Sequence, residues 1–205
     1  MDSFSARDPE IHRAASILAD GGIAVYPTET FYALGGDPNN DLAVDRIFTL
    51  KGRDPSKPLP LIASDRSCVI RAVSQWPESA EALVKVFWPG PLTLLLSASR
   101  TMSPLIFAHT GRIAVRISSH PVAAMLAEAV GGLIISTSAN ISGHAACRHL
   151  GEIPPALLNG VDIVVSGGEL EGRQPSTIVD LTVNPPRLVR EGAIPWREIR
   201  RALGF

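Results

Sequence analysis

Three cations stand within seven residues of one another in the run Lys51-Gly52-Arg53-Asp54-Pro55-Ser56-Lys57-Pro58. Its glycine and prolines keep the run from continuing as a helix, so the charges can converge instead of spreading along a helical face. A guanidinium fork set among point-charge ammoniums suits a polyphosphate; the ordinary alternative is a solvated basic loop. Thr137-Ser138-Ala139-Asn140-Ile141-Ser142-Gly143 gathers three hydroxyls and an amide, and Gly143 can take a positive φ. Such a turn can hold an anion on its backbone N–H groups, or can simply cap a helix. Thr28-Glu29-Thr30 sets hydroxyls on both sides of a carboxylate, where a small amino acid or a hydrated metal could be held. Arg116 within Ile113-Ala114-Val115-Arg116-Ile117, and Arg190 after Leu188-Val189, are cations in apolar strands. Each calls for an anionic partner, either a structural carboxylate or a ligand.

Short elements must deliver these residues, because 17 glycines and 17 prolines punctuate the chain throughout. The spacing predicts helices over 9–20, 41–51, 65–73, 77–87 and 121–130 and another starting at Pro195. In the first, Ile11, Ala15 and Leu18 share a face and Asp8 is the candidate cap. In the second, Leu42, Val44, Ile47, Phe48 and Leu50 form the apolar stripe. Strands are expected over 23–26, 59–63, 92–97, 112–117, 133–136, 161–165, 177–181 and 187–189. Polar loops that follow apolar strands are where open α/β sheets bind ligands. The order of elements predicts an α/β sheet that is not a simple βαβ series.

The 205 residues are 45% apolar and 19% charged, enough for one buried core, without repeats or an evident linker. No apolar run approaches the roughly 18 to 20 residues that span a bilayer, and the first eight residues lack a signal-peptide core. A soluble, cytoplasmic protein is expected. Cys68 and Cys147 are too few for a disulfide scaffold and read as small buried residues. His144, Cys147 and His149 lie in one loop, yet no fourth zinc ligand stands at a recognised spacing, and an ordinary surface loop is the better reading. A net charge of -1 argues against a protein that coats nucleic acid. The Walker phosphate loop, the dinucleotide fingerprint, the nucleophile elbow and the H-E-x-x-H zinc motif are all missing.

Taken together, the loops resemble in order and spacing the YrdC-type family of threonylcarbamoyl-adenylate synthases. Tyr26-Pro27-Thr28-Glu29-Thr30 with Tyr32-Ala33-Leu34-Gly35 is similar to its PTET-x-YGL segment, and Lys51-Gly52-Arg53 with Lys57-Pro58-Leu59 to its K-x-R…PL segment. Five more blocks follow in order. They are Trp88-Pro89-Gly90-Pro91-Leu92-Thr93, Ala114-Val115-Arg116 with His120-Pro121, Ser136 through Gly143, Pro175-Ser176-Thr177-Ile178-Val179-Asp180 and Val189-Arg190-Glu191-Gly192-Ala193.

The resemblance implies a twisted open sheet of mixed parallel and antiparallel strands flanked by helices, with a large, positively lined cavity. It also implies a single domain over 1–205, like the short members that lack an extra C-terminal domain. The implied reaction makes threonylcarbamoyl-AMP and pyrophosphate from L-threonine, bicarbonate and ATP with Mg²⁺, for N6-threonylcarbamoyladenosine beside the tRNA anticodon. Separate transfer proteins would carry the product to tRNA. By position, Lys51 and Arg53 become catalytic, Thr30, Arg116 and Ser136 contact threonine, and Lys57, Ser138 and Arg190 contact ATP. Asn140, Ser142, Ser176 and Thr177 join the ATP-site lining, and no residue is assigned to the metal.

Three positions depart from the pattern. Ile62 stands where many members have a histidine, Ala33 replaces a glycine, and Asp54 follows Arg53 in place of a proline. The competing reading is an RNA-binding or ribosome-assembly module, for which Trp196-Arg197-Glu198-Ile199-Arg200-Arg201 offers a mild cue. A carbamoyl-phosphate-using domain of hydrogenase maturation proteins would sit in a much longer chain.

Overall fold

The computed structural model describes residues 9–205; Asp8, the candidate cap, lies outside them. Along the chain run α1 (Pro9–Ala19), β1 (Ala24–Tyr26), β2 (Ala33–Gly35), α2 (Asp41–Lys51), β3 (Leu61–Ala63), α3 (Arg66–Ala72) and α4 (Glu78–Phe87). Then come β4 (Leu92–Ser97), β5 (Arg112–Ile117), α5 (Pro121–Ala129), β6 (Leu133–Ile135), β7 (Thr137–Ser138), α6 (Pro155–Leu158), β8 (Ile163–Val164), β9 (Thr177–Asp180), β10 (Arg187–Arg190) and α7 (Trp196–Leu203). Among the described residues no helix is long and apolar enough to cross a membrane.

The strands form two sheets where the sequence pattern suggests one. The larger has the order β10-β9-β4-β5-β3-β6 and the smaller β7-β2-β1-β8. Both are mixed. β3 and β5, β4 and β9, and β1 and β8 run parallel, and the other neighbours are antiparallel. One stretch of chain joins the sheets: β6 ends in the larger at Ile135, Ser136 intervenes, and β7 begins in the smaller at Thr137. β7 escapes sequence reading because it lies in the hydroxyl-rich turn, and β2 because it starts late in the run Phe31-Tyr32-Ala33-Leu34 and ends on Gly35; the two pair with each other across distant parts of the chain. The edge strand β10 shifts register against β9 between Leu188 and Arg190, a bulge that leaves Val189 exposed.

β1 feeds both cores, as alternating strand side chains must. Ile23, just before it, and Val25 enter the larger core with Leu34, Ile47, Leu61, Leu83 and Val115. Ala24 and Tyr26 enter a smaller one with Ile11 and Leu18 of α1, Val122 and Leu126 of α5, and Ile62. Helix α1 buries Ala14 rather than Ala15. Helix α2 starts on the Asn40 side chain, which accepts from the Leu42 and Ala43 N–H groups at 3.1 Å each, and stops at Gly52 with φ 55°. Its apolar stripe differs from expectation: Leu42 is 77% exposed, while Ala43 and Lys51 take places on the buried face. Both cysteines are buried and free.

The junction of the sheets is tight. The Tyr26 hydroxyl donates to the Ile135 carbonyl at 2.8 Å, and burial pushes that phenol's pKa up. A Cβ on Gly35 would stand 2.1 Å from the Ile135 oxygen and 2.7 Å from the Tyr26 ring. Gly35→Ala should therefore cost about 1–3 kcal/mol in denaturant unfolding; an unchanged midpoint would show that the junction yields freely.

Candidate functional site

Where the sheets part, a cavity of about 240 Å³ opens. Thr28, Thr30, Tyr32 and Ala33 wall it from the smaller sheet's side, Thr93, Ala114, Arg116 and Ile178 from the larger, and Ser136, Thr137 and Ser138 from the crossing. Arg53, Arg116 and Arg190 bring three guanidiniums to it, and among the described residues its lining includes no carboxylate. A second, outer cavity of about 240 Å³ shares Arg53 and Ser138 with the first, inner one and adds the exposed Asp54 and Lys57 with Lys51, Asn140, Ser142, Gly143 and His144. The basic loop and the hydroxyl-rich turn, far apart in sequence, thus line the same space.

Arg116 is 5% exposed, and the anion it requires is Glu29. Its Nε donates to Glu29 Oε1 at 2.9 Å. The other Glu29 oxygen accepts from the Ser118 hydroxyl, which accepts in turn from the His120 N–H at 3.1 Å. The Thr28 hydroxyl donates to the Phe31 carbonyl at 2.7 Å and accepts from the Thr30 and Phe31 N–H groups at 3.2 Å each, which fixes the loop. Thr30 is left facing the cavity, its hydroxyl 3.0 Å from that of Thr28. Ser136 Oγ, on the same wall, is buried without a well-formed hydrogen bond.

Arg190 donates through Nε and Nη2 to the Ser176 carbonyl at 3.2 and 2.8 Å, and the Ser176 hydroxyl lies 2.8 Å from that of Thr93. Burial, and then the Arg116 charge, hold the Arg190 pKa below that of an ordinary arginine. The two guanidiniums thus feel each other across the cavity, a standing positive field for an anion.

Lys51, the last residue of α2, turns inward with 1% exposure. Its ammonium donates to the Ser138 carbonyl at 2.5 Å, the Asn140 carbonyl at 2.7 Å and Asn140 Oδ1 at 3.0 Å. Burial lowers its pKa to about 8, with Arg53 adding to the effect. Asn140 Oδ1 also accepts from the Ser138 hydroxyl at 2.6 Å, and Nδ2 donates to the His144 and Ala145 carbonyls at 2.6 and 3.1 Å. Lys51 and Asn140 therefore spend their polar atoms shaping the turn. Arg53 folds back on its own loop, donating to the Lys57 carbonyl at 3.3 Å and the Pro58 carbonyl at 2.7 Å, while Lys57 is exposed at the rim.

Two residues sit elsewhere than the family pattern suggests. Thr177 is fully buried behind the wall, its hydroxyl donating to the Ile194 carbonyl at 2.6 Å and accepting from the Gly192 and Ile194 N–H groups at 3.0 Å each. It braces the chain after Arg190 and lines neither cavity. Ile62 pairs in register with Arg116 but packs into the smaller core. The Thr28-Glu29-Thr30 carboxylate, expected from sequence to sit where an amino acid or a hydrated metal could be held, is instead the partner of Arg116. Thr93, quoted from sequence only within its block, lines the cavity, and its signal is a polar residue between Leu92 and Leu94 of an apolar strand. His149 pairs with Glu169 at 3.3 Å, and the Cys147 thiol donates to the Glu152 carbonyl at 3.4 Å. Among the described residues no group of three or more His, Cys, Asp or Glu gathers to hold a metal ion.

The Sua5_yciO_yrdC family, described as "Telomere recombination", matches residues 16–192. Among curated relatives, the threonylcarbamoyl-AMP synthase of Pyrococcus abyssi is 37% identical over 196 residues, covering 95% of this chain and 57% of the relative. That of Bacillus subtilis is 33% identical, with 99% and 59% covered, and that of Vibrio vulnificus 34% identical, with 89% and 98% covered. The chain thus spans less than two thirds of the first two. The solved structure of P. abyssi Sua5 complexed with L-threonine superposes with a TM-score of 0.91 at 36% identity, covering 95% of this chain and 57% of that one. Escherichia coli YciO superposes with a TM-score of 0.86 at 30% identity, with 97% and 95% covered.

Between about 8 and the ordinary lysine value of 10.5, the folded chain holds less of the Lys51 proton than the unfolded chain does. Folding stability therefore gains as pH rises through that interval. Lys51→Met should abolish the gain and, by leaving the Ser138 and Asn140 oxygens unpaired, lower stability at neutral pH by about 1–3 kcal/mol. Urea titrations across the interval read both effects, and a fully stable variant would mean that the turn holds without its lysine.

Proposed function

The chain belongs to the Sua5/YciO/YrdC family, and from that premise we propose that it is a threonylcarbamoyl-adenylate synthase. L-threonine and bicarbonate join with loss of water to give the N-carboxylated amino acid. Its carbamate oxygen attacks the α-phosphorus of ATP, and pyrophosphate leaves. The observation that supports this reading is the pair of cavities meeting at Arg53 and Ser138, one sized for an amino acid beside a buried arginine, the other rimmed by cations. The P. abyssi structure with L-threonine favours the same choice of amino acid.

In this reading the Arg116 guanidinium takes the threonine carboxylate, and Thr30 and Ser136 take its polar groups. Arg53 and Lys57 face the triphosphate with the turn containing Ser138 and Ser142, whose Oγ is buried without a partner. Arg190 and Ser176 line the first cavity, where they would meet the nucleotide as its α-phosphate comes up to the carbamate. Lys51 and Asn140 serve the reaction by holding the turn. Both reactants are anions, so catalysis rests on positioning and on cations that offset the charge gathering at the α-phosphorus and on the leaving group. Mg²⁺ bound with the triphosphate would offset further charge there. Few carboxylates are on offer for it: Asp54, on the outer cavity, has one oxygen accepting the Ser56 N–H at 2.9 Å. Such an ion would be held chiefly by phosphates, as suits a cation that keeps its waters. The product would serve N6-threonylcarbamoyladenosine formation on tRNA through separate transfer proteins, in the cytoplasm.

Purified protein supplied with ATP, Mg²⁺ and bicarbonate should release pyrophosphate only when L-threonine is present; threonine-independent release would overturn the reading. Arg53→Ala should cut the rate at least about tenfold, and Arg116→Ala should raise the KM for threonine more than that for ATP.

A further inference from the structure

The Arg116–Glu29 pair spends the guanidinium unevenly. Glu29 holds the Nε edge alone, at 2.9 Å, and is itself held through its second oxygen by Ser118. Both side chains are nearly enclosed, at 6% and 12% exposure, so the contact is not a loosely screened surface pair. Of Arg116's neighbours in the larger sheet, Thr93 brings a hydroxyl to the same cavity, and that hydroxyl lies 2.8 Å from the Ser176 hydroxyl. Ile62, opposite Arg116 in register, is apolar and fully buried, and Ala114, two residues back on the same face, is small and lines the cavity. Among the described residues the Nε bond to Glu29 is the one hydrogen bond Arg116 donates, and its side chain lines the cavity, which leaves the two Nη groups to be met from there.

We propose that Glu29 is the positioning and specificity-determining residue of the inner cavity: by gripping Arg116 at Nε, it presents the Nη fork to substrates that carry a free α-carboxylate. This rests on the reading of the inner cavity as an amino-acid site. The charge of Glu29 matters as well as its oxygen. A guanidinium already neutralised on one edge is a weaker attractor for a polyphosphate than Arg53, which lines both cavities, yet it keeps the flat two-donor geometry that one carboxylate matches. Glu29 thereby sorts the two anions, the monocarboxylate inward and the triphosphate outward. It touches neither substrate, and its effect passes entirely through Arg116.

A double-mutant cycle on the full chain tests this, read as the KM for threonine and the KM for ATP in pyrophosphate release. In the parent, Glu29→Gln should raise the threonine KM by about tenfold, as the loss of one charged hydrogen bond implies, and leave the ATP KM within about twofold. In an Arg116→Ala background the sign should reverse. With no guanidinium to orient, the Glu29 carboxylate only repels that of threonine, so Glu29→Gln should leave the threonine KM unchanged or lower it. Ser118→Ala, which loosens Glu29 while keeping the ion pair, should shift the threonine KM in the same direction as Glu29→Gln but less, and it covers the case of a Glu29 variant that does not fold. Equal losses in both backgrounds, or threonine and ATP KM values that move together, would reduce Glu29 to a brace and overturn the proposal. A parent that needs no threonine at all would instead remove the amino-acid site, and this proposal with it.

Discussion

A buried cation has to be met by oxygens, or the fold that buries it does not stand. Lys51 and Arg116 impose that condition at two places, and much of the architecture around the cavity answers it. Lys51 draws in the Ser138 and Asn140 carbonyls and the Asn140 side chain, so the C-terminus of α2 and the strand that crosses between the sheets are fixed to each other. Arg116 draws Glu29 onto β5, so the loop between β1 and β2 must descend onto the larger sheet. Between these two ties lies the cavity, and each tie joins a segment of one sheet's side to the other.

The ties differ in what they leave over. Around the lysine the ammonium meets three oxygens, and the result is a held turn whose Ser138 and Ser142 line the second cavity. Around the arginine only the Nε donor is spent among the described hydrogen bonds, and the result is a directed fork. A single polar residue, Ser136, marks the point at which the chain changes sheets, and it also lines the cavity. Strand ends, not strand faces, supply most of the polar wall. That is how an open α/β fold offers chemistry without interrupting its apolar layers.

Elements that carry a clear rhythm were legible in the sequence: α2 over 41–51, β4 over 92–97 and β5 over 112–117 fall where the spacing places them. β2, β7 and α6 were not: β7 lies in the hydroxyl-rich turn, β2 takes in a glycine, and α6, at four residues, is too short to show a helical period. The cation-rich loop and the hydroxyl-rich turn were visible as such, but not the sharing of one space. Counting only apolar residues put Leu42 on the buried face of α2 and overlooked Lys51, because a lysine enters a core only when distant acceptors await it. The Glu29–Arg116 pair hides for the same reason, its partners lying 87 residues apart. Thr177 shows the converse: a residue of a matched block can stand behind the cavity wall, fully buried and bonded to the chain after Arg190.

The register break in β10 bears on what the molecule does at high concentration. An open sheet edge is a template on which another chain can lay a strand, and repeated addition is a route to aggregates. Here the edge breaks its hydrogen-bonding rhythm after Leu188 and carries an arginine at each end. An incoming strand would meet a kink, and a second copy of the same edge would meet like charges. The residue displaced into solvent by the bulge is the apolar Val189, so the protection comes from backbone geometry and flanking charge rather than from a polar surface.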